Sequence, residues 1–361
     1  MAEVRWAVVL VNEFDFELPP ELIAQEPPAA RGASRLLRLH REDGALDHHA
    51  IGDLPALLEP GDLLVVNNTR VFPARLLGRR DPSGGAVECL LVTRVAPADA
   101  DGAEQWEALV SPGQKLKPGA RVVFEGAATI HGEILERRPF GRRVVRIRTP
   151  DGSPLESAVD AVGHIPLPPY IKRDDRGDDH ERYQTVFAQT RGSIAAPTAG
   201  LHFTPALLDQ IRARGVEVAE LTLHVGYGTF QPIRVDVVEA HQMESEPFEI
   251  SEQTASVVNA ALDAGRRVVA VGTTTTRTLE SVARANGGRL VPGRGTSNLF
   301  IYPGFEFRVL RGLVTNFHLP QSSLLMLVSG FGGRDHVLHA YRTAVAERYR
   351  FYSYGDAMLI L

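Results

Sequence analysis

"HIPLPPYIKRDDRGDDHERYQTVFAQ", residues 164–189, carries three prolines in four positions and five acids in eight before an ordinary apolar chain resumes. Proline fixes φ and removes an amide donor, so PLPP is a stiff, extended segment that fits neither a helix interior nor a central strand. The chain differs on its two sides. Upstream, from Ala74 to Thr149, the runs ARLLGRR, GAVECLLVTRV, WEALV, RVVFEG, ATIHGEILE and RRVVRIRT are β-prone and separated by PSGG, SPG, KPG and PFG, with no helical period among them. Short strands at this spacing predict a small antiparallel barrel or sandwich. Downstream, Thr204 is an N-cap, Pro205 opens the helix ALLDQIRAR, and Gly215 ends it before the strand VEVAELTLHV. Ser251, EQTASVVNAALDA, Gly265 and RRVVAV repeat the unit, and GTTTT leads into RTLESVARA; LRGLVTNF, SSLLMLVSGF and HVLHAYRTAVAERY follow. Alternation of this kind predicts a largely parallel sheet.

Before the β-rich region, residues 14–70 show a helix signal in LPPELIA, a hairpin pair LLRLH and LDHHA around Asp43-Gly44, a short helix in GDLPALLEP and a strand in DLLVVN. The expected fold is an α/β body, residues 1–72 and 160–361, with an inserted small all-β, barrel-like domain, residues 73–159. PLPP is then the junction where the insertion returns to the body.

A chain of 361 residues is long for one core and suits two domains. No stretch approaches the roughly 20 apolar residues of a membrane span. The apolar run near Met1 is followed by acids where a cleavage site would stand, so the start reads as mature chain. Cys89 is the only cysteine, which excludes an internal disulfide and multi-cysteine zinc patterns and suits a reducing cytoplasm. A net charge of −5 argues against indiscriminate nucleic-acid binding. Only Lys115, Lys117 and Lys172 are lysines, so arginine excess is global and a single arginine says little.

Three segments concentrate polar groups where ligands bind. VVAVGTTTTRTLES, residues 268–281, is strand, turn and helix start, with Thr273, Thr274, Thr275 and Thr276 adding hydroxyls to free backbone amides. A threonine-rich cap serving only the turn is the alternative. IAAPTAGLHF, residues 194–203, sets small residues and Thr198 before His202. LHVGYGTFQPIR, residues 223–234, puts His224, Gly226, Tyr227, Gly228, Thr229 and Gln231 at a strand end. Such histidines are often merely packed or solvated. No HExxH occurs and no metal is expected. On GRRVVRIRT, Arg142, Val144, Arg146 and Arg148 share a face, either as a strip for phosphates or as a solvated face paired with Glu133 and Glu136.

Taken together, LPPELIAQEP, SRLL, PGDLLVVNNTRVFPARL, PLPPYI, ERYQTVFA, AAPTAGLHFTPALL, TLHVGYGTFQPIR, VAVGTTTTRTLES, FIYPG, TNFHLPQSSLLMLVS and RYRFYSYGDAMLI resemble the S-adenosylmethionine:tRNA ribosyltransferase-isomerase (QueA) family across nearly the whole chain. The resemblance implies an α/β body with an inserted β-barrel-like domain. It also implies a transferase and isomerase of queuosine biosynthesis, a tRNA modification. The ribosyl part of S-adenosylmethionine would pass to 7-aminomethyl-7-deazaguanine at the wobble position of tRNA with a GUN anticodon, giving epoxyqueuosine and releasing adenine and methionine. No cofactor is expected, S-adenosylmethionine being consumed as substrate; a cytoplasmic monomer is expected.

Such chemistry needs a base for the carbon acidified by the sulfonium, an acid for departing adenine, and deprotonation of the aminomethyl nucleophile. His202, His224, His318 and Glu280 are the titratable candidates within the matching motifs; Thr198, Gly200, Gly226, Gly228, Thr273, Thr274, Thr275 and Arg277 are the expected contacts to S-adenosylmethionine. Tyr170, Lys172 and Arg173 are candidates for touching RNA. Glu244 stands where the family commonly has histidine, Gly32 where a polar or acidic residue is frequent, and Ser297 where threonine is usual. Two other readings compete: a nucleotide-cofactor oxidoreductase, against which the missing GxGxxG counts, and a non-catalytic RNA-binding module.

Overall fold

A computed structural model of the chain describes residues 9–230 and 233–361, and of Thr229 and Phe230 the backbone alone. Gln231 and the apolar run near Met1 lie outside the described residues. Four apolar strands, Glu217–Leu223, Leu63–Asn67, Val268–Val271 and Gly312–Asn316, lie side by side and parallel in that order. Because side chains alternate across a strand, Leu63, Val65, Val268 and Ala270 face one core while Leu64, Val66, Val269 and Val271 face another. The first core is covered by helices Glu252–Asp263, Thr273–Ala285, Ser323–Gly332 and Arg334–Ala346. Helix Pro205–Ala213 covers the second, its N-cap Thr204 accepting the amide of Leu207 at 3.1 Å.

The sheet is mixed, not largely parallel. Ala357–Ile360 lies antiparallel to Gly312–Asn316 and parallel to Arg35–Leu39, which pairs with Leu46–Ala50 in the expected hairpin. Glu246–Ile250 and Gly293–Ser297 extend the other edge antiparallel. A four-residue apolar run such as AMLI has no measurable period of its own, and only its neighbours make it a strand.

Strands Arg75–Asp81, Ala86–Ala96, Glu104–Ser111, Arg121–Glu125, Thr129–Arg137 and Arg142–Arg148 form a closed antiparallel barrel. Closure leaves no open sheet edge to pair with another chain. Leu76, Cys89, Leu91, Phe124, Val145 and Ile147 fill its interior, and burial pushes the Cys89 thiol up to about 12, so it packs as an inert apolar group. A helix that the sequence reading did not anticipate, Leu155–Val162, adds Leu155, Ala158 and Val159 to this core.

The two chain passages between barrel and body run against each other. The amide of His164 donates to the carbonyl of Arg75 at 2.8 Å, and the amide of Arg75 returns a bond at 3.2 Å. Gly163 allows the approach: a Cβ there would stand 2.0 Å from the carbonyl oxygen of Pro73. Gly163→Ala should therefore destabilise the protein by about 1–3 kcal/mol through overpacking. Gly177→Ala, with nothing within 4 Å, should leave stability within about 0.5 kcal/mol. Urea-unfolding midpoints of the two variants check this.

Candidate active site at the strand edge

The four parallel strands end along one edge at Leu223, Asn67, Val271 and Asn316, where doubly wound sheets open toward ligands. Asn67 ties this edge together. Its Oδ1 accepts the amides of Thr69 and Leu223, and its Nδ2 donates to the carbonyl of Leu223 and to Thr274 Oγ1. Asn67 was not singled out from the sequence, although it sits inside the quoted motif DLLVVNNTR.

A cavity of about 570 Å³ lies over the edge, within the size range of small-molecule sites. Thr198, Thr273, Thr274, Asn316, His318 and Tyr352 are among its walls. The helix begins at Thr273, not after the threonines, because the hydroxyls of Thr275, Thr276 and Thr278 donate to the carbonyls of Val271, Gly272 and Thr274 one turn back. The first turn thus presents amides at the cavity, with Thr273 and Thr274 lining it. Tyr170 and Tyr352 also line it, with ring centroids 4.2 Å apart and planes tilted by 32°.

The histidines divide. His318 lines this cavity, 7% exposed, with Nε2 2.9 Å from Thr315 Oγ1; burial pushes its pKa down to about 3. His202 sits behind the wall. Asn316 Nδ2, held by the carbonyl of Tyr352 at 2.9 Å, donates to His202 Nε2 at 3.2 Å, so His202 Nδ1–H donates to Ser34 Oγ at 2.9 Å. Burial lowers the His202 pKa to about 4. His224 lines a different cavity of about 450 Å³ between barrel and body, together with Gly226, Arg142, Glu244 and Trp106.

Five expected site residues make contacts within the protein itself. Glu280 is fully buried, and its carboxylate accepts the amides of Arg308, Val309 and Leu310, so it is committed to fixing that loop. Arg277 is buried in an ion pair with Glu246 at 2.5 Å and donates to the carbonyls of Leu299 and Ser297. Thr275 spends its hydroxyl inside the helix. Gly200 makes room for Phe187 and Thr185, whose side-chain atoms a Cβ would meet at 2.7 Å. Gly228 lies against Glu244, 2.9 Å from a built Cβ. Among the described residues, no three His, Cys, Asp or Glu side chains are grouped to hold a metal.

The arginine strip is spent on acids, though not on the expected ones. Arg142 pairs with Glu107 and, across the domain boundary, with Glu244; Arg146 pairs with Asp99 and Asp101. Arg148 remains exposed. Arg173 is held by Asp179 and Glu26, and Tyr170 bonds Ser353, which leaves Lys172 as the exposed member of that trio.

Depressed histidine pKa values set the sign of acid sensitivity. The unfolded chain takes up protons near the ordinary value of 6.5, while folded His202 and His318 resist until about 4 and about 3. Their contribution is complete above that ordinary value and is lost as pH falls toward the folded values, at up to about 1.4 kcal/mol per pH unit for each. His318→Gln should flatten this acid limb, as read from urea midpoints across the range. Glu280→Ala should lower stability by about 2–4 kcal/mol while the folded fraction keeps turnover within about threefold; paired unfolding and rate measurements check it.

Comparisons with known proteins agree with this architecture. A family model described as queuosine biosynthesis protein matches residues 11–360. The S-adenosylmethionine:tRNA ribosyltransferase-isomerase of Desulfitobacterium hafniense is 50% identical over 97% of this chain and 99% of its own. That of Symbiobacterium thermophilum is 51% identical over 97% and 99%. The crystal structure of S-adenosylmethionine tRNA ribosyltransferase from Thermotoga maritima aligns with a TM-score of 0.54 at 38% identity, covering 97% of this chain and 100% of that one. With a family model spanning almost the full length and relatives at half identity over it, the chain belongs to the queuosine biosynthesis protein family.

Proposed function

We propose that this protein transfers and isomerises the ribosyl part of S-adenosylmethionine onto 7-aminomethyl-7-deazaguanine at the tRNA wobble position, forming epoxyqueuosine and releasing adenine and methionine. The observation that carries the reading is the full-length match at half identity to proteins named for this reaction. The strand-edge cavity suits the donor. Its threonine-lined helix start offers amides and a positive dipole end to the methionyl carboxylate. The Tyr170 and Tyr352 rings offer π faces to the sulfonium.

In this reading His318 is the group that takes the proton from the carbon beside the sulfonium, since it lines the cavity and starts neutral. His202 acts through Asn316 as a positioning residue. S-adenosylmethionine is the consumed substrate, and no resident cofactor is needed. The partner is tRNA with a GUN anticodon, and the enzyme works as a cytoplasmic monomer; no described helix is long and apolar enough to cross a membrane.

Nucleoside mass spectrometry of tRNA incubated with protein and S-adenosylmethionine, with adenine release followed in parallel, tests the reading. Product should form on tRNA carrying the aminomethyl base; equal adenine release with plain guanine at that position refutes it. His318→Ala should reduce kcat by about 10²–10⁴-fold with the fold intact. A kcat retained in that variant removes His318 from the chemistry.

A further inference from the structure

The reaction has two substrates, and the donor cavity leaves the second unhoused. The other cavity meets it at a single residue: Val225 lines both. Its amide donates to the Ser193 side-chain Oγ at 2.8 Å and its carbonyl accepts the amide of Ile194 at 3.2 Å, so the segment at Ser193–Ile194 holds Val225 in place as the shared wall. His224, one residue earlier in extended chain, lines only the barrel side.

That side has the character of a nucleobase pocket. Trp106 from the barrel and Phe72 from the entering chain meet with centroids 5.7 Å apart, and the Arg191 guanidinium lies 4.9 Å over the Phe72 ring. Aromatic and guanidinium planes of this kind stack unpaired bases. Glu104, which accepts from Arg94 and from the Trp106 indole N–H, and Glu244, paired with Arg142, add further acceptor lone pairs, suited to a base edge rich in N–H donors and to a primary ammonium. His224 is anchored at Nδ1 by Thr69 Oγ1 at 2.8 Å, and its Nε2 has no hydrogen-bond partner among the described residues. Gly192 leaves room for the ring; a Cβ there would stand 2.7 Å from His224 Cε1.

We propose that the cavity between barrel and body receives the acceptor base extruded from the RNA, stacked on Trp106 and Phe72, with its amine at Nε2 of His224. The ammonium gives its proton to Nε2 of neutral His224, which leaves the amine neutral, its lone pair free for the ribosyl transfer. The barrel is thus the lid half of an acceptor site, and Arg142 paired with Glu244 joins the halves at its wall. This assignment rests on the ribosyl-transfer reading above.

The chain has two tryptophans, Trp6 and Trp106, so Trp6→Phe leaves Trp106 as the single indole reporter. Its emission is followed while adding an anticodon stem-loop carrying the aminomethyl base, the same RNA with guanine, or S-adenosylmethionine alone. The first should quench Trp106 with an affinity at least about fivefold above the second, and S-adenosylmethionine should leave it unchanged. Quenching by S-adenosylmethionine alone, or unaltered emission with an RNA that the same sample converts, overturns the assignment. Absence of adenine release in that sample instead refutes the ribosyl-transfer reading, so the two failures are distinct. His224→Gln should lower kcat about 10²-fold or more with RNA and S-adenosylmethionine affinities within about threefold. A retained kcat removes His224 from the proton transfer.

Discussion

Arg277 and Glu246 form an ion pair with side chains 3% and 4% exposed, and both cavities hang from it. Arg277 lies one turn inside the helix whose first residues line the strand-edge cavity. Glu246 opens the strand beside the second cavity, and its other oxygen accepts the amide of Gly226 at 3.0 Å. Taking two ions out of water costs several kcal/mol each, and such a pair survives only with further hydrogen bonds. Here the carbonyls of Leu299 and Ser297 and the Gly226 amide supply them. Removing either partner would strand a buried charge, a loss of about 3–5 kcal/mol. The pair therefore holds the helix start, the shared wall at Val225 and the barrel-facing loop in one frame.

The same economy of charge runs through the molecule. Arginine is abundant, yet Arg142, Arg146, Arg173, Arg191 and Arg267 are paired with carboxylates within the protein. A surface built this way presents fewer free cations to a phosphate backbone than its composition suggests. Glu244 illustrates the trade: its carboxylate links body to barrel through Arg142.

Much of the fold was legible because its signals are local. Thr204 and Ser251 cap helices where their hydroxyls can reach amides three residues on, and Gly-rich turns punctuate the barrel strands. The Leu155–Val162 helix and the Ala357–Ile360 strand were not, since eight and four residues are too few to establish a period. The threonine run suggested a turn by composition, and is instead the first turn of a helix in which the Thr275 and Thr276 hydroxyls donate to carbonyls one turn back.

At the site, the sequence by itself determined which short segments gather titratable and small residues: residues 194–203, 223–228, 268–281 and the TNFHLP motif do border the two cavities. It could not rank the titratable groups within them. Glu280 and His318 look equally available in a one-dimensional chain; the tertiary structure gives the carboxylate three backbone amides and gives the imidazole a cavity wall. His318 and His224 likewise part company on opposite sides of Val225, and His202 lines neither cavity. The physical reason is desolvation: whether a polar group is committed or available depends on which distant donors, acceptors and apolar surfaces enclose it, and those partners arrive from tens to hundreds of residues away.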